Sequence, residues 1–85
     1  MIIHITKDIS KSFKKLPKNL QVLAKKKEEI FRNNPFDARL GTHKLSGTLD
    51  GYYAFSVNYN FRILLRFIES KEVLFLNIGT HEVYR

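Results

Sequence analysis

The sequence predicts an α+β domain: an N-terminal strand, a helical hairpin, then an antiparallel three-strand meander, in a sheet of about four strands. Three observations predict it. Ile2, Ile3 and Ile5 open the chain as a β-branched run. The following segment carries apolar residues at helical spacing. From Tyr52 onward, apolar and polar residues alternate in short runs separated by turn residues. Helices grouped before a meander define the α+β class. At 85 residues the chain holds one domain, residues 1–85, with one modest core.

The elements follow in order. The first strand ends near Thr6-Lys7-Asp8, where Thr6 or Asp8 can cap a helix bearing Ile9, Phe13 and Leu16 on one side. Pro17 suits the first turn of a second helix, whose apolar stripe is Leu20, Leu23, Ala24, Ile30 and Phe31. Asn33-Asn34-Pro35 ends it, because proline cannot continue a helix and restricts its predecessor. Residues 35–51 read as loop, with turn residues at Asp37, Gly41, Gly47, Asp50 and Gly51. Tyr52 to Asn58 is the first meander strand, and Asn58-Tyr59-Asn60 its turn. In Phe61 to Ile68, Phe61, Ile63, Leu65 and Phe67 face one way, so Arg62, Leu64 and Arg66 face the other. After a turn at Glu69 to Glu72, Val73 to Ile78 reads as a largely buried strand, broken by Gly79-Thr80.

Composition excludes several classes. With 44% hydrophobic and 13% aromatic residues, a packed core is feasible and disorder is not expected. The absence of cysteine excludes a disulfide scaffold, a thiolate metal site and a cysteine nucleophile. No apolar run approaches the ~18 residues of a membrane span. The start lacks the features of a signal peptide, so a cytoplasmic protein with no membrane association is expected. The charge is uneven: Met1 to Lys27 holds eight lysines against the single acid Asp8, whereas the remainder balances seven basic against seven acidic residues. All the net +7 therefore lies in the first third, either as a polyanion-binding surface or as a solvated helix face. Lys14, Lys15, Lys25 and Lys26 are among its members.

Familiar catalytic signatures are missing: no phosphate-binding glycine loop, no paired zinc-ligand spacing, no Gly-x-Ser-x-Gly. Neither a metal nor a cofactor is expected. Among the histidines, His4 shares a strand face with Ile2, whereas His43 lies in a polar loop and His81 in the tail, where function concentrates. Two such imidazoles can serve as base and acid near neutral pH, or be ordinary surface residues. Arg62 and Arg66 sit on one face of a central strand. A guanidinium there must reach solvent, a carboxylate such as Glu69, Glu72 or Glu82, or a phosphate, because unpaired burial is costly.

Read in order, several segments resemble the RelE/ParE superfamily, and most of all its YafQ-type and YoeB-type RNA-cleaving members. They are Asn34-Pro35-Phe36-Asp37, His43-Lys44-Leu45-Ser46-Gly47, Leu49-Asp50-Gly51-Tyr52-Tyr53-Ala54-Phe55, Phe61-Arg62-Ile63, and Ile78-Gly79-Thr80-His81-Glu82-Val83-Tyr84. The match runs from the first strand to the last residue, with its components in the family's order. The resemblance implies the toxin of a type II toxin–antitoxin pair, a metal-independent endoribonuclease that cuts mRNA in the ribosomal A site. It implies His43 as base, Arg62 as the cation that stabilises the phosphorane, His81 as acid and Tyr84 as an orienting aromatic. Lys44, Arg66 and Arg85 join the four helix lysines as implied RNA contacts, and a small acidic antitoxin is the implied partner. Where the YafQ-like branch carries further polar catalytic groups, this chain has Ser56 and Asn60. Two other outcomes share the fold: a ParE-like inhibitor of DNA gyrase without nuclease chemistry, and an inactive relic that binds only its antitoxin.

Overall fold

The computed structural model describes residues 1–84. Strand β1 (Ile2–Ile5) leads into helices α1 (Lys7–Lys14) and α2 (Lys18–Asn33). Strands β2 (His43–Lys44), β3 (Tyr53–Ser56), β4 (Arg62–Glu69) and β5 (Glu72–Gly79) follow, with 3₁₀ turns at Gly47–Leu49 and His81–Tyr84. The strands form one sheet in the order β1-β5-β4-β3-β2. β1 runs parallel to β5, with Ile3 opposite Val73, and the other pairings are antiparallel. After β1 the chain passes through the two helices to β2 at the far edge and returns strand by strand to β5, which brings β5 in parallel to β1.

The α+β class and the strand–hairpin–meander order are as predicted, but the sheet has five strands rather than about four. The extra strand, β2, pairs His43 with Ala54 and Lys44 with Tyr53. Two residues are too few to show alternation, and neither is a β-former, so only the tertiary pairing defines it.

Local chemistry explains the helix boundaries. Of the two candidate caps, Thr6 acts: its Oγ1 accepts from the Ile9 amide at 3.1 Å, and the hydroxyl donates to the Leu76 carbonyl at 2.6 Å. One residue thus starts α1 and ties it to β5. Pro17 stands immediately before α2 rather than within its first turn. The Leu20 and Gln21 amides both donate to its carbonyl at 3.0 Å. Asn34, extended ahead of Pro35, closes α2.

The core lies between the helices and one face of the sheet. Ile9, Leu20, Ala24 and Phe31 from the helices meet Phe55, Val57, Ile63, Leu65, Val73, Phe75 and Ile78. Phe31 is its centre, stacked on Phe55 at 5.0 Å and edge-on to Phe75 at 5.2 Å. Phe13, Leu16, Leu23 and Ile30 are only partly buried against it. Leu40, inside the segment read as loop, is fully buried, and its carbonyl accepts from the Ser56 amide at 2.8 Å. That anchor holds the connection beside β3 and so delivers β2 to the edge.

Candidate active site on the open face of the sheet

Because Phe55, Ile63 and Leu65 point to the helices, their neighbours point away. Ser56 is opposite Arg62, Ala54 opposite Leu64, and His43 in turn opposite Ala54. His43, Ser56, Arg62, Leu64 and Arg66 therefore share the face that the helices leave open. Arg62 is in the middle of it. From Arg62, His43 is two strands across and one row along, about 12 Å between Cα atoms.

On the other flank, Arg62 pairs with Gly79, the last residue of β5. The 3₁₀ turn His81–Tyr84 then folds back against the ends of β4 and β5. The glycine makes this possible: a Cβ at position 79 would stand 2.8 Å from Val83 Cγ1. The Val83 amide donates to the Thr80 carbonyl at 3.0 Å and closes the turn. The His81 and Tyr84 rings meet edge-to-face, 5.8 Å apart.

Among the described residues, Arg62 Nη1 and Tyr84 Oη are buried without a hydrogen-bond partner. Burial pushes the Tyr84 phenol above its ordinary range, and the Arg62 guanidinium pulls the other way. Tyr84 is therefore a neutral donor near pH 7, beside a fixed positive charge. Buried donors without partners are rare and costly, and both of these belong to one site. Glu69 and Glu72, two of the carboxylates considered for Arg62, lie at the far end of β4 and β5, seven residues and about 23 Å away.

His43 is exposed, and its Nδ1 lies 3.0 Å from the Gly41 carbonyl oxygen. A carbonyl only accepts, so Nδ1–H donates and the lone pair resides on Nε2, free to take a proton. His4 shares the open face but is committed elsewhere, with Glu72 Oε1 2.9 Å from its Nε2.

The cationic residues divide between the two sides of the molecule. Arg66 is on the open face, its guanidinium 5.8 Å from the Tyr52 ring centroid. Lys14, Lys15, Lys25 and Lys26 project from the helices, which cover the opposite face. Lys25 sits over Phe13 at 5.4 Å and 4.0 Å from Glu28. Lys44 alternates with His43 and so points to the helix side of the edge strand. Arg85 lies outside the described residues.

The structure thus brings Arg62, His81 and Tyr84 together, places His43 on the same face across two strands, and leaves the helix lysines on the other side. Two clefts elsewhere, one lined by Ile9, Phe13 and Phe75 and one by Phe36, Phe67 and Ile68, include none of these four residues. Among the described residues, no three His, Cys, Asp or Glu side chains are placed to hold one metal ion. No described helix is long and apolar enough to cross a membrane. Gly79 and Val83, which position the turn, were read from sequence as a strand break, a tail and part of a resembling segment, with no role assigned to either.

No family model matches the sequence, and no curated protein matches it either. Solved structures do. YafQ from E. coli strain BL21(DE3) is 22% identical, with a TM-score of 0.78 over 96% of this chain and 94% of that one. The YoeB/ParE toxin from Agrobacterium tumefaciens is 14% identical, with a TM-score of 0.81 over 95% and 99%. RelE, in the archaeal RelE–RelB complex from Pyrococcus horikoshii OT3, is 21% identical, with a TM-score of 0.76 over 93% and 92%. With TM-scores of 0.76 to 0.81 over nearly the whole of each chain, the protein shares the fold of these YafQ, YoeB/ParE and RelE toxins.

Proposed function

We propose that the chain is the toxin of a toxin–antitoxin pair and a metal-independent endoribonuclease acting on mRNA at the ribosome. The observation that carries the reading is Arg62: a buried guanidinium donor with no hydrogen-bond partner, beside a neutral Tyr84 donor, flanked by histidines in β2 and after β5. In the proposed reaction His43 Nε2 removes the proton of a ribose 2′-OH. The freed oxygen attacks the adjacent phosphorus, and the bond to the 5′-oxygen breaks as His81, protonated, gives that oxygen its proton. The products are a 2′,3′-cyclic phosphate and a 5′-OH. Arg62 and Tyr84 donate to the non-bridging oxygens as charge builds on them. Displacement in line needs base and acid on opposite sides of the phosphorus, and the two histidines lie on opposite flanks of Arg62 in the strand order.

The protein partner is a small antitoxin. The P. horikoshii structure is a complex of RelE with RelB, and the shared fold extends that expectation to this chain. The test is cleavage of RNA by translating ribosomes in EDTA, with His43→Ala, Arg62→Ala and His81→Ala. Each histidine is expected to cost roughly 10²–10⁴ in rate, and Arg62 about 10²–10³. Loss of cleavage on chelation, full toxicity of the Arg62→Ala/His81→Ala double variant, or gyrase-dependent DNA breaks in place of RNA cleavage would overturn the assignment.

A further inference from the structure

Tyr59 is 92% exposed, the most exposed of the large apolar side chains, and stands at the tip of the β3–β4 connection. Isolated exposed apolar residues are ordinary on protein surfaces. Two features separate this one from them. The turn that carries it is fixed: the Asn58 side-chain oxygen accepts from the Asn60 amide at 2.9 Å and from the Phe61 amide at 2.7 Å. The Val57 amide donates to the Phe61 carbonyl at 2.9 Å and closes its base. The turn also sits at the Arg62 end of the sheet, since Ser56 and Arg62 are the last pair before it. Tyr59 and Arg62 are three residues apart in sequence, so their Cα atoms lie within about 10 Å of one another.

An aromatic ring open on both faces, on a backbone with little freedom left to lose, suits stacking on a planar group. We infer that Tyr59 is a stacking platform for an unpaired base of single-stranded RNA, next to the nucleotide whose phosphate Arg62 engages. The inference rests on the ribonuclease reading and adds a base-binding subsite at the rim of the same face. Stacking on an aromatic ring is tolerant of base identity, and a neighbouring fixed cation holds the backbone in register. A duplex presents no free base face, so the subsite selects unpaired RNA.

Binding of a fluorescent 2′-O-methyl oligoadenylate, which cannot be cleaved, is measured by anisotropy across a salt series. The same oligonucleotide with one abasic position, scanned along its length, forms the second arm. Tyr59→Ala should weaken binding roughly 5- to 100-fold with the salt slope unchanged, because no phosphate contact is lost. Tyr59→Phe should bind like the wild type. One abasic position should weaken the wild type by a similar factor and leave Tyr59→Ala indifferent. If the wild type binds and Tyr59→Ala binds equally well, the stacking subsite is refuted while the ribonuclease reading stands. A role for the ring against a protein partner would give that same result. If the wild type binds neither this oligonucleotide nor ribosome-bound mRNA, both readings fail.

Discussion

Gly79→Ala is the most informative single substitution, because it tests how the terminal turn is held on Arg62. The new Cβ would lie 2.8 Å from Val83 Cγ1, against the 3.5–4.0 Å or so of a comfortable carbon contact. The overlap is roughly 1 Å against a stiff β-branched side chain. Forced methyl groups in packed sites typically cost about 1–3 kcal/mol. Gly79 does not need a left-handed conformation, since the positive-φ glycines are Gly41, Gly47 and Gly51. Alanine therefore recovers ~0.4–1 kcal/mol through the unfolded chain. The net loss should be about 1–2 kcal/mol, a fall in Tm of roughly 4–8 °C per kcal/mol in a domain of this size. The assay is a double-mutant cycle in thermal unfolding with Gly79→Ala, Val83→Ala and both together. Val83→Ala alone should destabilise slightly, yet added to Gly79→Ala it should restore about 1 kcal/mol, because the blocking atom is gone. A spectrophotometric titration supplies the second readout: in Gly79→Ala the Tyr84 phenol should return towards its ordinary range as the turn lifts and burial is lost. Strictly additive effects, or a Gly79→Ala variant as stable as the wild type, would refute this account of the turn.

Three further outcomes follow from the geometry. Phe31→Ala should cost about 4 kcal/mol, at the upper end for a phenylalanine, because the ring is fully buried and touches three other aromatic rings. Phe13→Ala should cost less than half as much, since Phe13 is only partly buried; equal falls in Tm would place the core elsewhere. Replacing Lys14, Lys15, Lys25 and Lys26 together with glutamine should change the salt dependence of RNA binding less than Arg66→Gln does, because the sheet separates these lysines from the open face. A larger change from the lysines would mean that RNA wraps around the helices. Asp37 is held at about 2, below its ordinary 3.8, chiefly by a hydrogen bond from the Arg39 side chain. Since the folded value is depressed, this contact contributes fully above pH 3.8 and is lost as the pH falls through about 2. A carboxyl NMR titration of the wild type with a midpoint near 3.8, or one unmoved by Arg39→Ala, would contradict it.

What the sequence determined by itself is what depends on neighbours along the chain. A cap at Thr6 or Asp8, the Asn34-Pro35 stop and the alternation that sets Arg62, Leu64 and Arg66 against Ile63, Leu65 and Phe67 follow local rules of capping, proline geometry and strand period. That Thr6 rather than Asp8 caps was settled by the fold. The local rules set Arg62 on the face that the helices leave open, while loop and tail position singled out His43 and His81, and resemblance added Tyr84 and a role for each. Tertiary structure decided everything that depends on residues far apart in sequence. The two residues of β2 become a strand only by pairing with Tyr53 and Ala54, and β1 joins the sheet beside β5, some seventy positions away. Leu40, in a run of turn residues, is buried because β3 receives it. The division of the cations has the same origin. Lys14 and Arg66 are alike in charge, but only the packing of helices on one face shows that they lie on opposite sides of the sheet. Last, the missing Cβ of Gly79 has meaning only against Val83, four residues on, after the chain has turned back on itself. Close approach of that kind is decided by packing, which no local pattern encodes.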